Sequence, residues 1–197
     1  HMQLGMARTM GGRAAEAIAP LRAAITLRPD LLPAKLFLGI SLMELGRARE
    51  AIAPLRQVVQ ADGSNTNARQ ALAEAHLSLE QYGEASTQLR ALSKVQADSP
   101  QVWAALGRSY EGLAREAFAK LQALDPDSPY VWLLAADVLT VEEKYPAAFS
   151  LIKKAQAKLP TLPGVHQTLA RVYAASGHAD WADVERTQAA AEKPACA

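Results

Sequence analysis

The side chains in this sequence that could bind a metal ion or transfer a proton include three internal histidines. His76, His166 and His178 lie far apart and at three different places in the repeat pattern described below. A zinc site needs more converging ligands than these histidines provide. We therefore interpret His76 and His166 as packing residues and place His178 in a turn beside Asp180. The sequence predicts no metal site.

Motifs for nucleophilic catalysis or phosphate binding do not stand out either. The serines are scattered without a nucleophile elbow, and Gly11-Gly12 fits a turn between helices better than a phosphate loop. The acidic stretch 125–128 fits the end of one helix and the start of the next. Trp181 either covers the end of the last hydrophobic layer or stacks on a ligand. We predict no catalytic residue and no cofactor, and we do not expect an enzyme.

Composition narrows the class of protein further. The 21 basic and 20 acidic residues give a net charge of +1, so the basic stripe typical of nucleic-acid binding is not expected. No apolar run reaches the ~20 residues that span a bilayer. Cys196 is the single cysteine, which excludes an internal disulfide framework and leaves both cytoplasm and periplasm open. Abundant alanine is typical of bacterial chains, and His1-Met2 resembles a cloning remnant.

The elements that position these residues follow from a repeating alanine. Alanine recurs at an interval of 34 residues with one interval of 29, at Ala17, Ala51, Ala85, Ala114, Ala148 and Ala182. A fixed period of this size indicates stacked supersecondary units rather than one globular core. A small residue lies twelve positions before most of these alanines and a larger apolar residue four positions after them. This spacing predicts two amphipathic helices per unit in an all-α fold.

The unit around Ala114 carries the most complete set of these positions. Its members are Trp103, Leu106-Gly107, Tyr110, Ala114, Phe118 and Pro126. The pattern resembles the tetratricopeptide repeat (TPR) family, and it recurs over about residues 3–194. The resemblance implies an α-solenoid of antiparallel helix pairs, each with a helix A and a helix B. The predicted repeats are 3–31 (truncated), 32–65, 66–99, 100–128 (shortened), 129–162 and 163–196.

The fourth repeat lacks five residues, and the loss lies between Tyr110 and Ala114. Either Gly112 takes a left-handed conformation in a very tight turn, or one helix runs over about 101–124. The apolar residues from Trp103 to Leu124 step by three or four without a slip, which favours the continuous helix. A glycine within a helix costs only roughly 1 kcal/mol relative to alanine.

The resemblance implies a protein-interaction scaffold whose concave helix-A face binds a peptide or protein. The family's binding positions correspond here to Met6, Leu36, Ile40, Met43, Gln70, Glu74, Leu77, Arg108, Glu111, Leu133, Asp137, Gln167 and Arg171. The members from the N-terminal half suit an adaptable apolar groove, and those from the C-terminal half are mixed in charge. Two alternatives are a self-assembling module and a docking segment of a larger multidomain enzyme.

Overall fold

The computed structural model describes residues 1–191, and these residues form eleven α-helices and no β-strand. Pro194, Cys196 and the end of the last predicted repeat lie outside the described residues. The helices are α1 (Met2–Met10), α2 (Ala14–Leu27), α3 (Leu32–Glu44), α4 (Ala48–Ala61), α5 (Thr66–Ser78), α6 (Tyr82–Val95), α7 (Pro100–Leu124), α8 (Pro129–Val141), α9 (Tyr145–Lys158), α10 (Val165–Ala175) and α11 (Ala179–Ala191). The all-α prediction is confirmed.

Five of the six repeating alanines are buried between packed helices. Ala17, Ala51, Ala85, Ala148 and Ala182 are fully buried. In the first two repeats, the small residue of the first helix lies under the larger apolar residue of the second, as Gly5 does under Leu21 and Gly39 under Leu55. A Cβ atom at Gly39 would lie only 2.4 Å from Cγ of Leu55, so the close packing of α3 on α4 requires glycine at this position.

The turns between paired helices share one backbone conformation. The residue five positions before each fully buried alanine has a left-handed backbone, with φ of +69° at Gly12 and Gly46 and +85° at Gly177. Glu80 and Glu143 adopt the same region at φ of 57° and 61°, although a side chain is disfavoured there. A backbone hydrogen bond closes each turn, such as that from the Arg47 amide to the Leu42 carbonyl oxygen, 2.8 Å.

The fourth repeat has no turn, and the continuous helix predicted for it is confirmed. Helix α7 runs for 25 residues from Pro100 to Leu124. Ser109 occupies the position of the left-handed residue, but it is buried within the helix and donates to the Ala105 carbonyl oxygen at 3.0 Å. Gly112 lies within the same helix, so the tight-turn alternative is wrong.

The chain divides into two compact units, His1–Ala114 and a second that begins at Arg115. In the N-terminal unit, one cluster of buried residues joins α2, α3, α4 and α5, and another joins α5, α6 and the first part of α7. In the C-terminal unit, a third cluster joins α8, α9 and α10. Among residues 1–191, no helix combines the length and the apolar composition that crossing a bilayer requires.

Candidate functional site

A groove of about 1000 Å³ in the C-terminal unit brings three predicted site residues together. Asp137, Gln167 and Arg171 line it, on helices α8 and α10. Helix α11 contributes Arg186, Ala189 and Ala190. The remaining lining residues are Thr140, Val141, Pro163, Gly164, Ala170, Ala174 and Ala175. The groove therefore has a wall of small apolar side chains with two guanidinium groups, a carboxylate and an amide around it.

Asp137 and Arg171 connect two neighbouring helices at this groove. They occupy the same position of α8 and α10, 34 residues apart, and Arg171 Nη2 donates to Asp137 Oδ2 at 3.0 Å. The same nitrogen also lies 3.3 Å from the Thr168 hydroxyl oxygen. Because two acceptors hold the guanidinium, Arg171 is oriented before any partner binds. More than half of its side chain remains exposed.

The environment of Asp137 is unusual for a carboxylate. Its second oxygen, Oδ1, is buried and has no hydrogen-bond partner among the described residues. Burial raises the pKa of the Asp137 carboxyl above its usual value, while Arg171 and Thr168 act in the opposite direction. The Asp137–Arg171 ion pair therefore leaves Oδ1 of Asp137 poorly solvated.

Leu133 belongs to a smaller cavity of about 370 Å³ on the same unit. This cavity shares Asp137, Gln167 and Arg171 with the larger groove and adds Leu121, Tyr130 and Leu134. Leu133 is itself buried in the core of α8 and α9, so only its edge is accessible to a ligand. The four predicted residues of this unit therefore lie together.

The predicted residues of the N-terminal unit that precede α7 lie on α1, α3 and α5. Leu36, Ile40 and Met43 on α3 are half-buried and pack against the core of this unit. Met6 and Leu77 are also half-buried. The exposed residues Gln70 and Glu74 hydrogen-bond to each other at 3.1 Å on α5. A cavity of about 280 Å³ in this unit is lined by other residues, among them Arg56, His76 and Gln88.

Arg108 and Glu111 lie exposed on α7. Trp103 precedes them on the same helix with about half of its surface exposed, and its indole nitrogen donates to the Ala97 carbonyl oxygen at 2.7 Å. Tyr110 is exposed to a similar degree. This helix consequently presents aromatic side chains to solvent.

The histidines have local partners. The Nδ1 atom of buried His76 lies 2.7 Å from Gln81 Oε1, in the turn that leads into α6. The Nδ1 atom of His166 lies 2.6 Å from Glu185 Oε2. His178 stacks on Trp181, which also contacts the Tyr173 ring edge-on. Residues 1–191 contain no cluster of three or more histidine, cysteine or acidic side chains that could hold a metal ion.

Sequence reasoning missed the part of the groove that comes from α11. Arg186 lies on the last described helix and pairs with Asp183 on the same helix. The family resemblance assigns binding positions to helix A only, so it did not include a helix-B residue. The signal in the sequence was an arginine in a column that is otherwise apolar.

Paired antiparallel helices with a left-handed turn, stacked through a small-residue column, define an α-solenoid of helix-hairpin repeats. Two tetratricopeptide repeat models match the chain, at residues 42–108 and 112–163, and together they cover more than half of it. The chain belongs to the tetratricopeptide repeat family. This fold serves generally as a protein-interaction scaffold and is typically non-catalytic.

Solved structures support the same fold. MamA (41-end) from Desulfovibrio magneticus RS-1 is 16% identical, with 96% of this chain and 90% of that chain covered and a TM-score of 0.52. A tetratricopeptide repeat protein from Parabacteroides merdae ATCC 43184 is 14% identical, with coverage of 99% and 78% and a TM-score of 0.51. At these identities the likeness shows the fold alone. No curated protein sequence matches the chain.

Proposed function

We propose that this chain binds a peptide or protein segment on its helix-A face, with the groove of the C-terminal unit as the main site. The observation that supports this proposal is the convergence of Asp137, Gln167 and Arg171 with Arg186 around one groove of about 1000 Å³. A volume of this size lies at the upper end of the range for ligand pockets. Rigid helices hold the lining side chains, which lowers the entropic cost of binding.

The lining residues favour a particular kind of partner segment. Two arginines approach the groove, and guanidinium groups bind carboxylates with good geometry. The wall between them consists mostly of alanines, which offer a shallow apolar surface. We therefore propose a segment in which an acidic side chain is flanked by small apolar residues. Gln167 can donate to and accept from the backbone of such a segment.

The surface of the N-terminal unit is proposed as a secondary contact. Met6, Leu36, Ile40, Met43 and Leu77 expose apolar edges, and Gln70 and Glu74 add polar groups beside them. Because these apolar side chains are half-buried, their contribution to affinity is expected to be smaller than that of the groove. Arg108 and Glu111 on α7 complete the proposed set.

A peptide selection tests the main site. A phage-displayed library of random twelve-residue peptides is selected on the intact chain, and fluorescence anisotropy gives the Kd of enriched peptides. Ala174→Trp fills the groove and should weaken binding at least about tenfold, or about 1.4 kcal/mol. Ala157→Trp is the matched control, because Ala157 is an exposed alanine of α9 that does not line the groove.

The composition of the selected peptides tests the chemistry. We expect acidic residues to be enriched, and Arg171→Gln to weaken their binding while circular dichroism shows an unchanged fold. If enriched peptides bind Ala174→Trp as tightly as the unmodified chain, the groove is not the main site. Loss of binding in Leu36→Glu instead would move the site to the N-terminal unit.

A further inference from the structure

Helix α7 carries one face whose residues are exposed from Trp103 to Ala117. Trp103, Gly107, Tyr110, Ala114 and Ala117 follow each other at alternating steps of four and three, and all five are exposed. Half-buried Leu121 and exposed Leu124 continue the same spacing. On a helix, this spacing places the residues on one side. The opposite side of the first half is the buried one, where Val102, Ala105, Ser109 and Gly112 lie.

Equivalent residues elsewhere in the molecule are covered by the second helix of their own repeat. Gly39 lies directly under Leu55, and Gly5 lies under Leu21 at 2.5 Å from a Cβ built on the glycine. Gly107 is the matching glycine of α7, but a Cβ built on it would have no neighbour within 4 Å. Ala114 is exposed, whereas the other five alanines in its column are fully buried.

Both halves of the missing helix pair are therefore present on α7. Residues 103–110 carry the helix-A positions, and residues 114–121 carry the helix-B positions. They cannot pair within one helix, because only Gly112 and Leu113 separate Glu111 from Ala114 and no turn forms. When a second copy of α7 runs antiparallel to the first, its helix-B half lies beside the helix-A half of the first copy, and its helix-A half lies beside the helix-B half.

We propose that the chain forms a dimer in which α7 of one protomer packs antiparallel on α7 of another. The helix-A half of each copy then packs on the helix-B half of the other, which places Phe118 of one protomer over Gly107 of its partner. The two-fold axis passes near Gly112 and Leu113. Two complete helix pairs form, each built from both chains, as in domain swapping. Short connections favour such exchange.

Charge and polarity along the face agree with this arrangement. Glu111 and Arg115 lie on the same edge of the uncovered face, and antiparallel pairing about this axis brings Glu111 of one protomer beside Arg115 of the other, twice per dimer. The Trp103 indole nitrogen is already bonded to the Ala97 carbonyl oxygen, so the exposed part of this ring is apolar. Burial of the face leaves no unpaired donor at Trp103.

Sedimentation equilibrium on the purified chain tests the dimer. We expect a mass of twice the 21.1 kDa monomer, with dissociation on dilution. Ala114→Arg places a charge in the centre of the face and should give a monomer. The matched control is Ala119→Arg, because Ala119 is an exposed alanine of the same helix outside the face, and this variant should remain a dimer.

Loss of the dimer in a variant can be distinguished from misfolding of that variant. Circular dichroism is recorded for both variants, and Gly107→Leu provides a second block: it should preserve or raise helicity while preventing Phe118 of the partner from seating. A chain that is monomeric at 200 µM, or that dimerises equally in the two arginine variants and in Gly107→Leu, overturns the proposal.

Disulfide cross-linking tests the register of the two α7 helices in the proposed dimer. In a Cys196→Ser background, Gly107→Cys and Phe118→Cys chains are mixed and oxidised. A disulfide between the two chains is expected, whereas Gly107→Cys alone should not cross-link, since its two copies would lie about 16 Å apart along the helix. Efficient cross-linking of Gly107→Cys with itself would contradict the antiparallel register.

Discussion

The stretches 32–65 and 100–128 carry the same sequence signature and fold differently. In the first, Gly39 lies under Leu55, Ala51 is fully buried, and Gly46 makes the left-handed turn. In the second, a Cβ built on Gly107 would meet no atom within 4 Å, Ala114 is exposed, and the chain continues as one helix. The signature therefore specifies which residues are able to pair. We expect the length of the connection to decide whether they pair within the chain.

Restoring the five missing residues should make the stretch 100–128 fold like the stretch 32–65. Insertion of the sequence of residues 44–48 after Glu111 supplies the left-handed glycine and should convert α7 into a helix pair. Spin labels at positions 101 and 123 lie about 33 Å apart along the continuous helix. In an antiparallel pair, with axes about 8–10 Å apart, they should come within about 20 Å.

Double electron–electron resonance measures this distance, in a Cys196→Ser background and with excess unlabelled protein to suppress distances between protomers. The uninserted chain is the control. An unchanged distance after insertion would mean that helix continuity is set by the residues of α7 rather than by the length of the connection.

The second test compares Ala51 with Ala114. Arginine at position 51 would bury a charge between two packed helices and should destabilise the fold by about 4 kcal/mol or more. Arginine at position 114 faces solvent in the monomer and should change the free energy of unfolding by less than about 0.5 kcal/mol. Urea unfolding at a protein concentration where sedimentation shows monomer gives both values. Similar losses at the two sites would show that Ala114 is buried after all.

The third test compares two glycines of α7 that are five residues apart. A Cβ at Gly112 would lie 2.4 Å from Cγ of the Tyr82 ring, whereas a Cβ at Gly107 meets open space. Alanine gains about 1 kcal/mol of helix propensity at either site. Overpacking of Tyr82 costs typically 1–3 kcal/mol, so Gly107→Ala should be more stable than Gly112→Ala by about 2 kcal/mol.

Chemical unfolding of dilute monomer checks the sign of this third comparison as well as its size. Gly107→Ala should be more stable than the unmodified chain, and Tyr82→Ala should remove the penalty at Gly112. Equal stabilities of the two glycine variants in the Tyr82→Ala background, and unequal stabilities when Tyr82 is present, would support this explanation.

The smallest expected effect concerns Asp137 of the C-terminal unit. In this unit, equivalent positions of α8 and α10 are in contact through the Asp137–Arg171 ion pair. The pKa of Asp137 is raised in the folded state by burial, so the folded chain binds a proton more tightly than the unfolded chain. The contribution of this group to stability is therefore greatest at low pH and is lost as the pH rises through the folded pKa. From pH 7 to pH 4, the unmodified chain should gain stability relative to Asp137→Asn.

Urea unfolding of both proteins at the two pH values measures this difference. Asp127→Asn serves as a control for general acid effects, since Asp127 is exposed. A change of the opposite sign would indicate that Arg171, rather than burial, dominates the electrostatics of Asp137.

Much of this architecture was predictable from residue spacing. The repeating alanines located the helix pairs because a closely packed position accepts only a small side chain, and the unbroken apolar steps from Trp103 to Leu124 indicated one helix. The role of Gly112 was not predictable, because its neighbour Tyr82 is thirty residues away and comes from another repeat. For the same reason, the contribution of Arg186 to the groove became visible only in three dimensions.

The uneven surroundings of α7 have a consequence for local opening of the backbone. Val102, Ala105 and Leu106 of this helix belong to a buried cluster, whereas most residues from Ala114 to Leu124 are exposed. The free energy of local opening, which hydrogen exchange measures, is higher for backbone segments with more buried contacts. In the monomer, hydrogen exchange along this single helix should change from slow to fast near Leu113. One continuous helix would then contain two segments that open at different rates.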